Sequence, residues 1–426
     1  MYIFYKNNIM ERIFVQIASY RDPELIPTIK DMIENADKPK NLRLSIVRQF
    51  HPDDKFDDLS EYENDNRFRV VDIPHKEAKG VCWARHLTQE AYDGEEYTLQ
   101  LDSHMRFEKG WDTLAIGMIK QLQKKGIKKP LLTGYVSSYN PENDPKGRIT
   151  KPWRMVFDRF IPEGAVFFLP EDIPGWEDLT EPVPSRFYSA HFCFTLGKFS
   201  EEVRHDPEFY FHGEEISIAV RAYTHGYDLF HPHRIIAWHE YTRKGRTKHW
   251  DDNKDWGKRN SDSHSKNRRL FSMDGEVYDE DEFGKYGFGK ERTLEDYEKY
   301  AGIRFSNRAV QQYTLDKNYP PNPAEYETEE EWEKSFARIF KHCINIDYKL
   351  VPEKDYDFWA VAFHDEKDET IYRKDADINE INRMLSDPDG YGKLWREFQT
   401  DKKPTYWVVW PYSKSKGWCE RLTGKL

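Results

Sequence analysis

Asp102 and His104 stand two residues apart at the end of a strand-like run, residues 97–107 (YTLQLDSHMRF). In an extended chain positions i and i+2 face the same side, so a carboxylate and an imidazole there can converge on one ion. His239, closing residues 228–239 (DLFHPHRIIAWH), offers a third donor. One carboxylate and two imidazoles suit a borderline divalent ion such as Mn²⁺ when a diphosphate completes the shell, and suit zinc by ligand type. A plainer reading stays open: Asp-x-His at a strand end is also a solvated polar corner, and His239 is one of 15 histidines, close to His231 and His233.

A second constellation is Phe211-His212-Gly213-Glu214-Glu215, at the head of an amphipathic stretch. Gly213 would let backbone approach a ligand, and Glu214 would accept hydrogen bonds from hydroxyls. The same adjacent carboxylates also serve as dipole partners of a helix N-terminus. Arg85 lies one helix before Asp102 and can pair with a carboxylate or reach a phosphate. Phosphate-loop, dinucleotide-fingerprint and serine-hydrolase motifs are absent, as are zinc-finger and H-E-x-x-H patterns.

These side chains need a scaffold, and the chain reads as alternating strand and helix. Residues 12–19 are β-rich and run into Asp22-Pro23, a helix N-cap followed by proline, and the apolar stripe Leu25, Ile26, Ile29, Met32, Ile33, Ala36 predicts a helix. Strands are expected at 41–50 and 68–73, a helix at 79–92, then the strand carrying Asp102. This order predicts an α/β sheet with crossovers, whose strand ends collect ligands. Because residues 97–101 alternate polar with apolar, burial of both faces is not implied there. Further expectations are a helix at 112–122, strands at 131–138, 188–196 and 228–239, a helix at 214–226, and a folded loop with short strands over 150–185. Residues 243–267 hold almost no apolar side chain and read as a flap or solvated loop. A PPNP segment and an acidic run at 325–333 mark a linker to a C-terminal unit with β-rich FWAVAF and YWVVW and helical 378–385 between them.

The 426 residues leave room for two or three domains. With 38% hydrophobic and 33% charged residues, the chain can build a core and carries a very polar surface. A net charge of −11 argues against nonspecific nucleic-acid binding. Cys82, Cys193, Cys343 and Cys419 are scattered, so reduced thiols and a cytoplasmic location are expected. The N-terminus, interrupted by Lys6, Asn7, Asn8, Glu11 and Arg12, does not read as a leader, and no stretch reaches the roughly 20 apolar residues of a span, so no membrane anchor is expected.

The stretches IFVQIASYRDPE, AKGVCWARHLTQEAYDGEEYTLQLDSHMRFEKGWD, FHGEEISIAVRAYTHGYDLFHP, AWHEYTR and YGFGKERTLEDYEKYAGI, in that order, resemble the cytoplasmic hydroxyproline N-acetylglucosaminyltransferases. These are glycosyltransferases of the GT-A fold. Mucin-type polypeptide GalNAc-transferases are more distantly similar. The resemblance implies a GT-A, Rossmann-like domain with a mixed, mainly parallel sheet over 1–315; the C-terminal unit, expected as a smaller α+β accessory unit over 325–426, lies outside it. It implies a UDP-sugar donor, UDP-GlcNAc first, an acceptor protein hydroxyl such as hydroxyproline, and Mn²⁺ or another divalent cation on Asp102, His104 and His239. Ala18, Ser19, Tyr20, Arg21 and Arg85 match nucleotide-side positions; Asp102, Ser103 and Glu214 complete the donor set. Asp102, Glu214 and Glu215 are the residues it implies in catalysis. His212 and Glu215 replace a glycine and an asparagine of the GalNAc-transferase pattern, which leaves the sugar open. The related enzymes retain anomeric configuration, and no side chain stands out as a nucleophile, so a front-face displacement is expected. The alternatives are a catalytically silent scaffold that binds carbohydrate or protein, and a sugar nucleotidyltransferase.

Overall fold

The computed structural model describes residues 11–324, 326, 328–386, 390–400 and 402–426. Lys6, Asn7 and Asn8, on which the reading of the N-terminus rests, lie outside the described residues, as do Glu325 and Glu327 of the acidic run.

Apolar and β-branched side chains build β1 (Ile13–Tyr20), in which Val15 and Ile17 are fully buried. α1 (Leu25–Asn35) lays Leu25, Ile29 and Met32 against the sheet. The helix begins at Leu25, and Asp22 caps its entry as expected: its Oδ1 accepts from the Glu24 N–H at 2.9 Å and its carbonyl from the Leu25 N–H at 3.2 Å, while its Oδ2 turns into the molecule. β2 (Leu42–Phe50) and β3 (Phe68–Pro74) extend the sheet in parallel to one side. After α2 (Val81–Gln89), β4 (Tyr97–Asp102) enters parallel to β1 on its other side. Strand order therefore reverses between β1 and β4, and their carboxyl ends open a crevice.

The chain continues through β5 (Met105–Phe107), α3 (Trp111–Lys124), β6 (Pro130–Thr133), β7 (Trp153–Phe160), β8 (Val166–Asp172), β9 (Val183–Pro184), β10 (Phe192–Leu196), α4 (Glu214–Thr224), β11 (Asp228–His231) and β12 (Ala237–His239). The eight-stranded sheet has the order β3-β2-β1-β4-β10-β6-β11-β9. β10 is antiparallel to both β4 and β6, and β9 is antiparallel to β11; the other strands run one way. The expected mixed, mainly parallel α/β architecture is present.

β4 is buried despite its alternation because its polar side chains are paired. Gln16 donates to Thr98 Oγ1 at 2.7 Å and Thr98 to the Phe14 carbonyl at 3.0 Å, while Gln100 donates to the Ala190 carbonyl at 2.7 Å. Buried polar groups so satisfied cost little. The single strand expected over 228–239 is broken: Pro232 has no N–H for the ladder, β11 stops at His231, and β12 joins β5 in a separate two-stranded sheet. β7 and β8 form a hairpin longer than the short strands expected.

The flap reading of 243–267 is also corrected. Residues 249–252 are helical and α5 (Trp256–Leu270) spans four turns. Its buried face is polar: Ser263 accepts from the Tyr210 N–H at 3.0 Å, and the Lys266 ammonium sits 2.6 Å from Asp206. An apolar stripe was therefore never available to reveal it.

Beyond residue 302 the strands β13 (Ile303–Arg304), β14 (Ala309–Gln311), β15 (Phe336–Asp347) and a long partner, Tyr391–Gln399, form one sheet, and Tyr356–His364 with Tyr406–Ser413 lead a six-stranded one. Trp359, Val361, Phe363, Ile344 and Val409 pack a core between them.

Candidate active site

Asp102 is the last residue of β4, at the crevice. Three residues on, β5 begins and pairs antiparallel with β12, matching Met105 with His239. That ladder carries His239, 135 positions away in the chain, to the side of His104. His239 Nε2 lies 3.3 Å and His104 Nε2 3.6 Å from Asp102 Oδ2, and one donor atom of each residue lies within 4.8 Å of the others.

Asp22 explains the orientation. Its Oδ2 accepts from Ser103 Oγ at 2.7 Å and lies 2.7 Å from His104 Nδ1. With the His104 Nδ1 proton donated to a carboxylate, the Nε2 lone pair faces Asp102, the arrangement of metal-binding histidines. Burial opposes ionisation of Asp102, but the Arg85 guanidinium holds its carboxyl well below the usual range. Burial pushes His239 down to about 4, so that imidazole is neutral at neutral pH. One ionised carboxylate and two imidazoles at these separations fit a divalent cation.

Arg85 is 4% exposed and bridges two carboxylates, donating at 2.7 Å to Asp102 Oδ1 and at 2.7 Å to Glu214 Oε1. Glu214 opens α4 behind Gly213, whose φ of +92° and the Asn267 side chain 3.0 Å from where a Cβ would stand both require glycine. The next residue, Glu215, accepts from the Ala190 N–H at 2.9 Å and from the Tyr135 hydroxyl at 3.3 Å. Burial raises its carboxyl to about 7.

Two clefts meet at this cluster. The first is walled by Ala18, Tyr20, Gly80, Ser103, Tyr210, His249 and Trp250. The second is walled by Arg85, Tyr135, Phe167, His212, Glu214 and Glu215. Asp102, His239, Phe211 and Arg243 line both. Ser19 and Arg21 line neither. Ser19 is buried, and Arg21 is turned to Asp54 and Asp252, at 2.7 and 2.9 Å.

Arg243 and Asp22 carry much of this geometry and were not singled out as site residues. The Arg243 guanidinium lies over the rings of Phe211 and Trp250, 5.3 and 5.7 Å from their centroids, and forms no ion pair among the described residues. Its signal was its place four residues after His239 in AWHEYTR, at the head of a basic run. His191, stacked 4.3 Å behind His239, had none.

Comparison with known proteins agrees with this picture in one respect that is decisive. The family model described as glycosyltransferase (GlcNAc) matches residues 12–63 and 54–307. Among solved structures, GalNAc-T7 with UDP, GalNAc and Mn²⁺ is 14% identical, covering 55% of this chain and 44% of that one, at a TM-score of 0.41. This chain thus spans less than half of the GalNAc-T7 chain. S. aureus TarS 1-349 is 12% identical over 61% of this chain and 72% of that one, TM-score 0.37. Its complex with UDP-GlcNAc is 13% identical over 57% and 61%, TM-score 0.36. No curated protein sequence matches. Since the matched span runs through residues 12 to 307 of 426, the chain belongs to the GlcNAc glycosyltransferase family.

Proposed function

We infer that this chain transfers GlcNAc from UDP-GlcNAc to a hydroxyl of a protein, hydroxyproline being the acceptor side chain, with retention of configuration. The carrying observation is the junction: two clefts share Asp102 and His239 of the candidate cation cluster and the Arg243 guanidinium, which has no anionic partner among the described residues. A nucleotide needs an aromatic-walled cleft, a diphosphate needs positive charge, and a sugar needs carboxylates on its far side. Tyr20, Tyr210 and Trp250 in the first cleft, Arg243 at the junction and Glu214 and Glu215 in the second cleft support this reading.

Asp102, His104 and His239 would hold the divalent cation, which supplies positive charge to the departing diphosphate. Arg243 adds a fixed donor at the same place, already oriented by Phe211 and Trp250, so little reorganisation accompanies bond breaking. Arg85 ties Asp102 to Glu214, so the nucleotide and sugar ends keep one relative position. Glu214 has one oxygen on Arg85 and the other on the Cys82 thiol, and each retains a lone pair for a sugar hydroxyl. Both Glu214 oxygens being held, it is poorly placed to become a covalent nucleophile, which favours front-face attack. Glu215, half-titrated near neutral pH, orients a hydroxyl or amide in the second cleft.

A screen of UDP-sugars, read as UDP release with and without Mn²⁺, tests this reading. Selective response to UDP-GlcNAc, abolished by chelation and by Asp102→Asn, is expected. Equal indifference to every donor would leave a silent scaffold as the better account.

A further inference from the structure

We propose that Cys82, His205 and Glu214 form a second, closed cation site of the zinc class, lying behind the open cluster at Asp102.

The three come from separate pieces of chain: Cys82 from α2, His205 from the loop after the short helix Phe199–Glu202, and Glu214 from the head of α4. They are 0, 1 and 5% exposed, and one donor atom of each lies within 4.8 Å of the others. His205 is oriented from outside the cluster. Its Nε2 lies 2.5 Å from Gln100 Oε1, while the Gln100 amide nitrogen is committed to the Ala190 carbonyl. The Nε2 proton therefore points at Gln100, and the Nδ1 lone pair faces Glu214 Oε2 at 3.9 Å. Glu214 Oε1 is occupied by Arg85, which leaves Oε2 for the site, and the Cys82 sulfur sits 2.6 Å from that oxygen. The Tyr210 carbonyl, 3.8 Å from the sulfur, is a fourth donor at the edge.

Donor atoms around a tetrahedral zinc stand roughly 3.3–3.7 Å apart, given bonds of about 2.0–2.3 Å. Opening the sulfur–oxygen contact by about 1 Å and closing the nitrogen–oxygen gap by about half that brings these two pairs into range, and the sulfur–nitrogen pair stands within 4.8 Å. Binding releases the thiol proton to solvent, and the dication with one thiolate and one carboxylate is neutral, which suits a buried site. A thiolate selects a softer ion than the Asp-His-His cluster does. With Cys82 and His205 only 0 and 1% exposed and Glu214 also lining the second cleft, the site fixes structure: it would clamp α2 and α4 together and hold Glu214 against Arg85.

The test reads metal and not sugar transfer, so it stands or falls apart from the proposed activity. Full-length protein loaded with Co²⁺ is expected to show sulfur-to-cobalt charge-transfer absorption in the near ultraviolet. Zinc-loaded protein is expected to show one sulfur neighbour at about 2.3 Å by X-ray absorption. Cys82→Ser should remove the absorption and one equivalent of tightly held zinc, whereas His239→Ala, which disrupts only the open cluster, should keep both. Absence of a sulfur neighbour in the wild-type protein overturns the proposal, and needs no variant to fold. Zinc content unchanged by Cys82→Ser overturns it equally.

Discussion

Arg243 is the side chain whose removal separates charge stabilisation from folding. It lies against two rings that themselves touch and carries no ion pair among the described residues, so Arg243→Ala breaks no buried carboxylate pair. Loss of one preorganised donor at a developing charge typically costs about 10²–10³ in kcat. Steady-state kinetics should show that fall with melting temperature nearly unchanged; a variant as active as the parent would remove Arg243 from the diphosphate. Glu215 makes a prediction in pH. Its carboxyl is raised from 4.5 to about 7 by burial, so its protonated form stabilises the fold below pH 4.5, and that contribution is lost as pH rises through 7. The loss amounts to about 3 kcal/mol at one pKa unit per 1.36 kcal/mol. Urea unfolding at pH 5 and pH 8 should show the parent weakening relative to Glu215→Gln by that order; a pH-independent difference would contradict it. Asp102 and His104 were legible because two residues in an extended strand share a face. The part Asp22 plays at the site was not, since it depends on a tertiary contact of Oδ2 with His104 that its capping of the helix through Oδ1 does not announce.

At the scale of elements, the site is made by a ladder and a glycine. The β5–β12 pairing carries His239 to His104, and no local pattern across 135 positions encodes that register; only the order of motifs did. The strands β1 to β4 and the helix at 214–224 were readable because apolar periodicity and a glycine before two glutamates are local signals. α5 was hidden because its buried face uses Ser263, His264, Lys266 and Asn267 in place of apolar residues. Gly213→Ala tests the entry to α4. A Cβ there meets Asn267 at 3.0 Å in a left-handed conformation, a strain of about 1–3 kcal/mol. Denaturant midpoints should fall accordingly and donor affinity should fall with them, because Glu214 follows directly. Full stability in the variant would show that the helix start tolerates a side chain.

For the molecule as a whole, we propose the division at 315–325 as one of chain organisation, with the units joined by a continuous sheet. β14, before that boundary, pairs with β15 beyond it. The Lys341 ammonium also reaches Asp158 of the β7–β8 hairpin at 2.6 Å, and Arg304 reaches Glu333 at 2.6 Å. A chain ending at residue 320 therefore exposes an unpaired strand edge, and should aggregate or melt several degrees lower in calorimetry. Equal melting would make the C-terminal unit a separable appendage.

The central claim is that the cluster at the crevice binds the cation on which donor cleavage depends. Isothermal titration of Mn²⁺ into the full chain with UDP present, repeated for Asp102→Asn and His239→Ala, addresses it most directly. The account predicts one saturable site in the parent that both substitutions abolish while circular dichroism stays the same. Undiminished Mn²⁺ binding in either variant would contradict it.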